Sequence, residues 1–348
     1  EVKGFLCIKD PNIQLYINGS ADWSPDASSF VITTKLKNFK PQALNLIENY
    51  PDLEIDAKLH TNLSTSGINA EILDNMTGLA RIDSVQIRNG NNSIDIEEPF
   101  SIKFKPEQEE KLVIESKFLS GHMKGAFQYT TLSTTIQQIL HQYLPTFIDQ
   151  PTPIESNNSL DLYVQFRDFD VITEVLNLNF ELPETSTIKG SLLGNNNHID
   201  LVVNIPQFKY DKINIEGLEV KLEDINKKLT LSIKAKNHLP KGTPIAEKID
   251  MIDLQTTLSA KNDHLDCNIS FSPENAYIHG DIRTEAKLTK YKNQPKLYLK
   301  ILHDQLTIND STWNIGNSRI TYTHADKVMD IRGFTLSTKH QTISAHGK

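Results

Sequence analysis

Aliphatic and polar residues alternate at period two along most of the chain, and the alternation is clearest between Ile188 and Lys236. In that stretch Ile199, Leu201, Val203 and Ile205 share one strand face, as do Leu218, Val220 and Leu222. Leu229, Leu231, Ile233 and Ala235 do so again, because successive strand side chains point to opposite sides. The other face is mostly Lys, Glu, Asp, Asn and Ser. Asn-rich or Asp-Lys turns at residues 194–197 and 224–228 separate the runs, which predicts antiparallel neighbours in a meander.

The same pattern recurs on both sides of this stretch. Ile13, Leu15 and Ile17 alternate before Gly19, and Leu53, Ile55, Ala57 and Leu59 follow; later come Leu160, Leu162, Val164 and Phe166, then Leu265, Cys267, Ile269 and Phe271, then Leu297, Leu299 and Ile301. On the order of two dozen strands are expected, with little helix to cover them. One amphipathic helix is predicted over 134–144, capped by Thr134 with Gln137 three residues on and stopped by Pro145. Its apolar stripe is Ile136, Ile139, Leu140, Tyr143 and Leu144, which favours a lid or plug on the sheet over a membrane or partner helix. Short helical turns are expected between Pro41 and Pro51 and within 168–180. The Pro/Asn-rich stretch 149–158 is the best boundary. It divides a first β-segment (1–130) and the helix with its break (131–150) from a second β-segment (151–348).

A loose repeat overlies the strands: a residue followed by glycine inside an alternating run, at Gly19, Gly125, Gly190, Gly217, Gly280 and Gly333. Strand glycine often marks a bulge or bend, and such kinks let a long sheet curl. The expected fold is therefore all-β: a long antiparallel sheet of repeated strands, curled into an incomplete barrel or groove with an aliphatic concave face.

Composition narrows the function classes. The 348 residues carry a net charge of −8 with no Lys/Arg block, which argues against nucleic acid as a partner. Cys7 and Cys267 both fall on apolar strand faces and read as small buried hydrophobes rather than a disulfide. No apolar run approaches the roughly 18 residues of a membrane span, and no signal peptide opens the sequence. The alternation is cut at Glu1 and at Lys348, so a piece of a longer protein is expected. Nucleophile elbows, P-loops, GxGxxG turns and HExxH are missing, and the eleven histidines are scattered singly. The expectation is no enzyme, no cofactor and no metal. Asn-x-Ser/Thr sequons at Asn18, Asn62 and Asn268 are what an Asn-rich chain produces by chance.

The open question is what covers the aliphatic face. A self-packed surface or adhesion module would close it upon itself. A face this long, left uncovered, implies a cargo, since proteins seldom expose more than a few hundred Å² of contiguous apolar surface. Acyl chains fit: burial contributes roughly 0.8 kcal/mol per CH₂, and aliphatic walls impose no directional contacts. The expected lining is Leu160, Leu162 and Val164, then Ile199, Leu201, Val203, Val220 and Leu222, then Leu229, Leu231 and Ile233. A chaperone or assembly factor for outer-membrane β-barrel proteins, working by strand addition at an open sheet edge, is a further alternative.

The recurring x-Gly strands, the run FKYDKINIEGLEVKLEDINKKLTLSIKAK, the QYLP helix end and the closing STWNIGNSRITYTHADKVMDIRGFTLSTKHQTISAHGK resemble the TamB (translocation and assembly module) family of the AsmA-like superfamily. The Asn/Lys/Ile-rich composition is similar to forms from Bacteroidetes-type bacteria. The resemblance implies a periplasmic segment of a larger protein with an inner-membrane anchor in a preceding part. Its curled β-groove would carry phospholipid towards the outer membrane, with outer-membrane assembly machinery as a further partner. The resemblance carries no catalytic residues.

Overall fold

The computed structural model describes the chain except residues 25–26, 67–71, 106–108, 155–156, 212, 239–250, 274–277, 303 and 309–310. Residues 155–156 of the Pro/Asn break, and Tyr277 and His303, lie outside the described residues. The 24 strands found among the described residues belong to one antiparallel sheet, as the period-two alternation predicts. Two compact units divide the chain: residues 1–132 with 158–189, and residues 133–157 with 190–348.

The first unit contains β1 (Val2–Asp10), β2 (Ile13–Trp23), β3 (Ser28–Phe39), β4 (Leu53–Thr65), β5 (Thr77–Asn89), β6 (Asn92–Ile96), β7 (Phe100–Phe104), β8 (Glu110–Glu115), β9 (Leu119–Lys124), β10 (Ser159–Phe166), β11 (Phe180–Glu181) and the start of β12 (Ser186–Leu193). Strands β1 to β5 form a meander. β5 then forks, pairing β7 through Gly78–Ile82 and β6 through Val85–Asn89. Two short helices belong here, α1 (Ile72–Asn75) and, after the helix shared between the units, α3 (Asp170–Val175). Residues 168–180 thus hold the expected helical turn, whereas 41–49 form only turns and bends.

The second unit contains the rest of β12, then β13 (His198–Tyr210), β14 (Ile213–Ile225), β15 (Lys228–His238), β16 (Met251–Lys261), β17 (His264–Pro273), β18 (Ile278–Tyr291), β19 (Gln294–Ile301), β20 (Asp304–Ile308), β21 (Ser311–Ile315), β22 (Ser318–Thr323), β23 (Val328–Ser337) and β24 (Thr342–Gly347). β13 to β19 are successive antiparallel neighbours. The two-residue turns Asn226–Lys227, Asn262–Asp263 and Lys292–Asn293 have both φ values positive, between 49° and 63°. Such turns match the right-handed strand twist, and Asn and Asp tolerate that backbone region. A closed circuit of pairings follows: β18–β19, β19–β22, β22–β23, β23–β21, β21–β20 and β20–β18.

Where the aliphatic alternation slips by one residue, the backbone carries a bulge. In β14 the apolar positions run Ile213, Ile215, then Leu218, Val220, Leu222, and the register with β15 shifts between Glu216 and Glu219. Gly217 sits in that shift at φ 58°, in the left-handed region glycine occupies without strain. β23 repeats the device: Ile331 then Phe334 and Leu336, a shift between Ile331 and Phe334, and Gly333 at φ 70°. In β5 the slip from Ile82 to Val85 coincides with a shift against β4, and the Asp83 carboxylate there bonds Lys58 at 3.1 Å and Arg81 at 2.8 Å. The extra residue keeps the aliphatics on one face, which an unbroken ladder would have divided between two.

The helix of the central segment, α2, spans Tyr129–His141, earlier than predicted. Thr134 is inside it and caps nothing; its N-terminus is held by Asp74, which accepts from the Tyr129 backbone N–H and, at 2.6 Å, from the Thr130 hydroxyl. An acceptor from a distant element does the capping, so the local Thr-x-x-Gln signal misplaced the start.

Only eleven hydrophobic side chains are buried among the described residues, so neither unit has a large sealed core. In the first unit they are Leu53, Phe118, Phe127, Leu160 and Val175; in the second, Ile139, Tyr143, Leu192, Leu229, Ala260 and Ile315. Cys267 faces the aliphatic side and is half-buried. Cys7, expected to be buried, is exposed on β1, opposite Tyr16 and on the face away from Leu6 and Ile8. Every described β1 residue is exposed, and among the described residues the strand pairs only β2.

Candidate functional site

The aliphatic side of the second unit is built from cross-strand rows. One row runs Leu201, Leu222, Leu231, Leu258, Cys267, each opposite the next. A second runs Val203, Val220, Ile233, Thr256, Ile269, Ile282. A third runs Leu229, Ala260, Leu265, Ala286, Leu299, Ile320, Ile331, crossing seven strands. At about 4.8 Å between strands this row is about 29 Å long.

The register therefore brings together six of the expected lining residues in two threes: Leu201 with Leu222 and Leu231, and Val203 with Val220 and Ile233. All six are half-buried, as is Ile199. Leu229 differs, being only 7% exposed. Leu160, Leu162 and Val164 lie on β10 in the first unit; Leu160 is buried, while Leu162 and Val164 are half-buried opposite Met123 and Gly121 of β9.

The sealed end of the second unit explains Leu229. Its partner on β14 is Asp224, a carboxylate at a position where the alternation calls for an aliphatic residue. Tyr143, four per cent exposed just beyond α2, sets its phenol beside the Asp224 carboxylate. Burial first, then the neighbouring carboxylate, hold the Tyr143 phenol well above its usual range. The Tyr143 carbonyl accepts the Asp263 N–H at 2.9 Å, and the Asp263 carboxylate accepts from the Thr146 N–H at 2.9 Å and its hydroxyl at 2.8 Å. Ile139, wholly buried, lies one helical turn before Tyr143. The 133–148 segment thus plugs the turn end of β14–β17, whereas the aliphatic residues in the middle of the strands are half-buried. Neither Asp224 nor Asp263 was singled out from the sequence; one sits in a turn-like DIN and the other in a two-residue turn, with no local sign of a distant partner.

The first unit has an apolar cavity of about 300 Å³ where β5 forks. Ile82, Val85, Ile87, Ile96 and Phe100 line it from the strands, Phe118 and Leu119 from the start of β9, and Phe169 and Ile172 from α3. The Asn89 side chain donates to the Val175 carbonyl at 3.0 Å and Asn92 to the Glu174 carbonyl at 3.1 Å, fixing α3 over β5 and β6. Beside α1, burial lowers the affinity of the Lys105 amine for its proton, with neighbouring Lys111 adding to the effect and Asp74 opposing it.

Among the described residues no three His, Cys, Asp or Glu side chains are grouped to hold a metal, and no helix is long and apolar enough to cross a membrane. Comparison with protein-family models, with curated proteins and with solved structures gave no match.

Proposed function

We propose that the chain shelters phospholipid acyl chains on the aliphatic side of β13–β19, as a segment of a larger envelope protein similar to the TamB family. The observation that carries this reading is the pair of rows Leu201–Leu222–Leu231 and Val203–Val220–Ile233, which are apolar, continuous and only half-buried. A self-packed module would seal such rows, since burying one aliphatic side chain contributes about 1.5–3 kcal/mol. The polar face of the same strands is laced with cross-strand ion pairs such as Lys234 with Glu219 and Lys228 with Asp266, so it has no comparable need of a cover. A phospholipid lying here would place its tails along the rows and its headgroup in water. The reading implies a periplasmic location, with the inner-membrane anchor and any contact to outer-membrane assembly machinery supplied by other parts of the protein.

Strand addition by a client β-barrel protein is a second reading, favoured by the exposed β1, which pairs only β2 among the described residues.

The test is photo-crosslinking in cells. A crosslinking residue at Leu201, Val203, Val220, Leu222, Leu231 or Ile233 captures phospholipid, and one at Lys221 or Lys234 on the polar face does not. Equal capture from both faces, or none, overturns the conduit reading. Capture of β-barrel polypeptides at β1 would instead favour strand addition.

A further inference from the structure

We infer that the polar side of β18, β19 and β22 is a docking surface for an anionic lipid bilayer. The sequence carries no basic block, but the register assembles one. Three parallel rungs cross this side: Glu285–Lys300–Arg319–Arg332, Lys287–Tyr298–Thr321–Asp330, and Thr289–Lys296–Thr323–Val328. Arg332 is neutralised by Asp330 at 2.7 Å, Arg283 by Asp304 at 2.9 Å and Lys292 by Asp326 at 2.8 Å. Lys287, Lys300 and Arg319 are exposed and have no ion-pair partner among the described residues, with Glu285 the one carboxylate in the same rungs outside those pairs. Four positive charges, counting Lys296, therefore stand on one face of an acidic chain. With a screening length near 8 Å at physiological salt, this local charge governs what approaches the face, and the distant net negative charge does not.

Shape and aromatic content select the partner. Lys287, Tyr298, Lys300 and Arg319 ring a shallow depression of about 390 Å³, with Glu285 and His264 at its edge. Tyr298 is 43% exposed and Tyr291 40% exposed, and the Lys296 amine lies over both rings, 4.8 and 5.4 Å from their centroids. Tyrosine with an apolar ring and a wet hydroxyl settles at headgroup depth, and an arginine fork grips phosphate in two places. Lysines interleaved with exposed tyrosines on one side of the sheet thus fit a phosphate-bearing bilayer surface better than an acidic polypeptide. The inference stands on charge and exposure and does not depend on the conduit reading.

The experiment is vesicle co-sedimentation of the whole chain. Vesicles of equal parts phosphatidylglycerol and phosphatidylcholine bind it, pure phosphatidylcholine vesicles do not, and added salt weakens the binding. The triple variant Lys287→Gln, Lys300→Gln, Arg319→Gln loses on the order of a hundredfold in affinity, about fivefold per charge removed. Lys221→Gln with Lys234→Gln, on the same polar side but distant strands, leaves binding unchanged. Tyr298→Ala, with all charges kept, weakens it too, so the proposal stays testable if the triple variant fails to fold. Binding to neutral vesicles as strong as to anionic ones, unchanged binding by either variant, or preferential binding of a single-stranded oligonucleotide each overturns the proposal. Failure of the conduit reading would show separately, as loss of the crosslinks at Leu201 and Val203 with vesicle binding intact.

Discussion

The Tyr143 phenol stands beside the Asp224 carboxylate, bringing the segment after α2 to the end of β14. One oxygen of Asp224 is buried with no hydrogen-bond partner, which leaves the neighbouring phenol as the favourable contact this carboxylate has beside Leu229. Tyr143→Phe should cost about 1–3 kcal/mol in thermal or urea unfolding. Adding Asp224→Leu should recover part of that loss, since both polar groups are then gone. An additive double mutant would show that the two residues do not interact.

The same pair sets an alkaline limit. The folded Tyr143 phenol titrates above its unfolded value of 10.0. Its contribution is therefore complete below pH 10 and is lost as pH rises through the folded value. Urea unfolding should show stability falling above pH 10 in the parent chain and a smaller fall in Tyr143→Phe.

An acid limit sits in the β18–β20 pairing. Asp304 receives the Arg283 guanidinium at 2.9 and 3.3 Å, and this hydrogen bond holds its carboxyl below the usual value of 3.8. A lowered folded value stabilises above the unfolded one and is lost as pH falls through the folded one. The β20 amides should therefore lose protection below about pH 4, and Asp304→Asn should lose that acid step.

Gly217 supplies the test of the bulges. At φ 58° a β-branched residue is strained, so Gly217→Val should destabilise by about 1–2 kcal/mol or more. Gly4→Ala on β1, where nothing lies within 4 Å of an added methyl, should be neutral. Equal effects in chemical denaturation would rule out the bulge as the reason for glycine at Gly217.

Leu229 and Leu231 are two residues apart on the same face yet differ in cover. Leu229→Ala should cost about 2–4 kcal/mol and Leu231→Ala about 1 kcal/mol, because only the first leaves a cavity under the plug. Comparable losses in urea unfolding would mean the middle of the face is sealed as well.

The period-two alternation determined by itself that the chain is all-β, antiparallel and one-sided, because a pleated strand places every second residue on the same face. It also located the glycines that matter at Gly217 and Gly333, though not why the others differ. Gly19 and Gly280 stand where an added Cβ would meet Val31 and Leu306 across the sheet, a close approach that depends on the neighbouring strand. Where α2 begins, which aliphatics are sealed and where charge collects were decided only in three dimensions. The Asp74 cap, the Tyr143–Asp224 contact and the Lys300–Arg319 rung join residues 55, 81 and 19 positions apart. Alternation fixes which face a residue is on, but not which distant residue stands beside it. That choice belongs to turn lengths, bulges and strand register, each of which shifts partners without changing the local pattern.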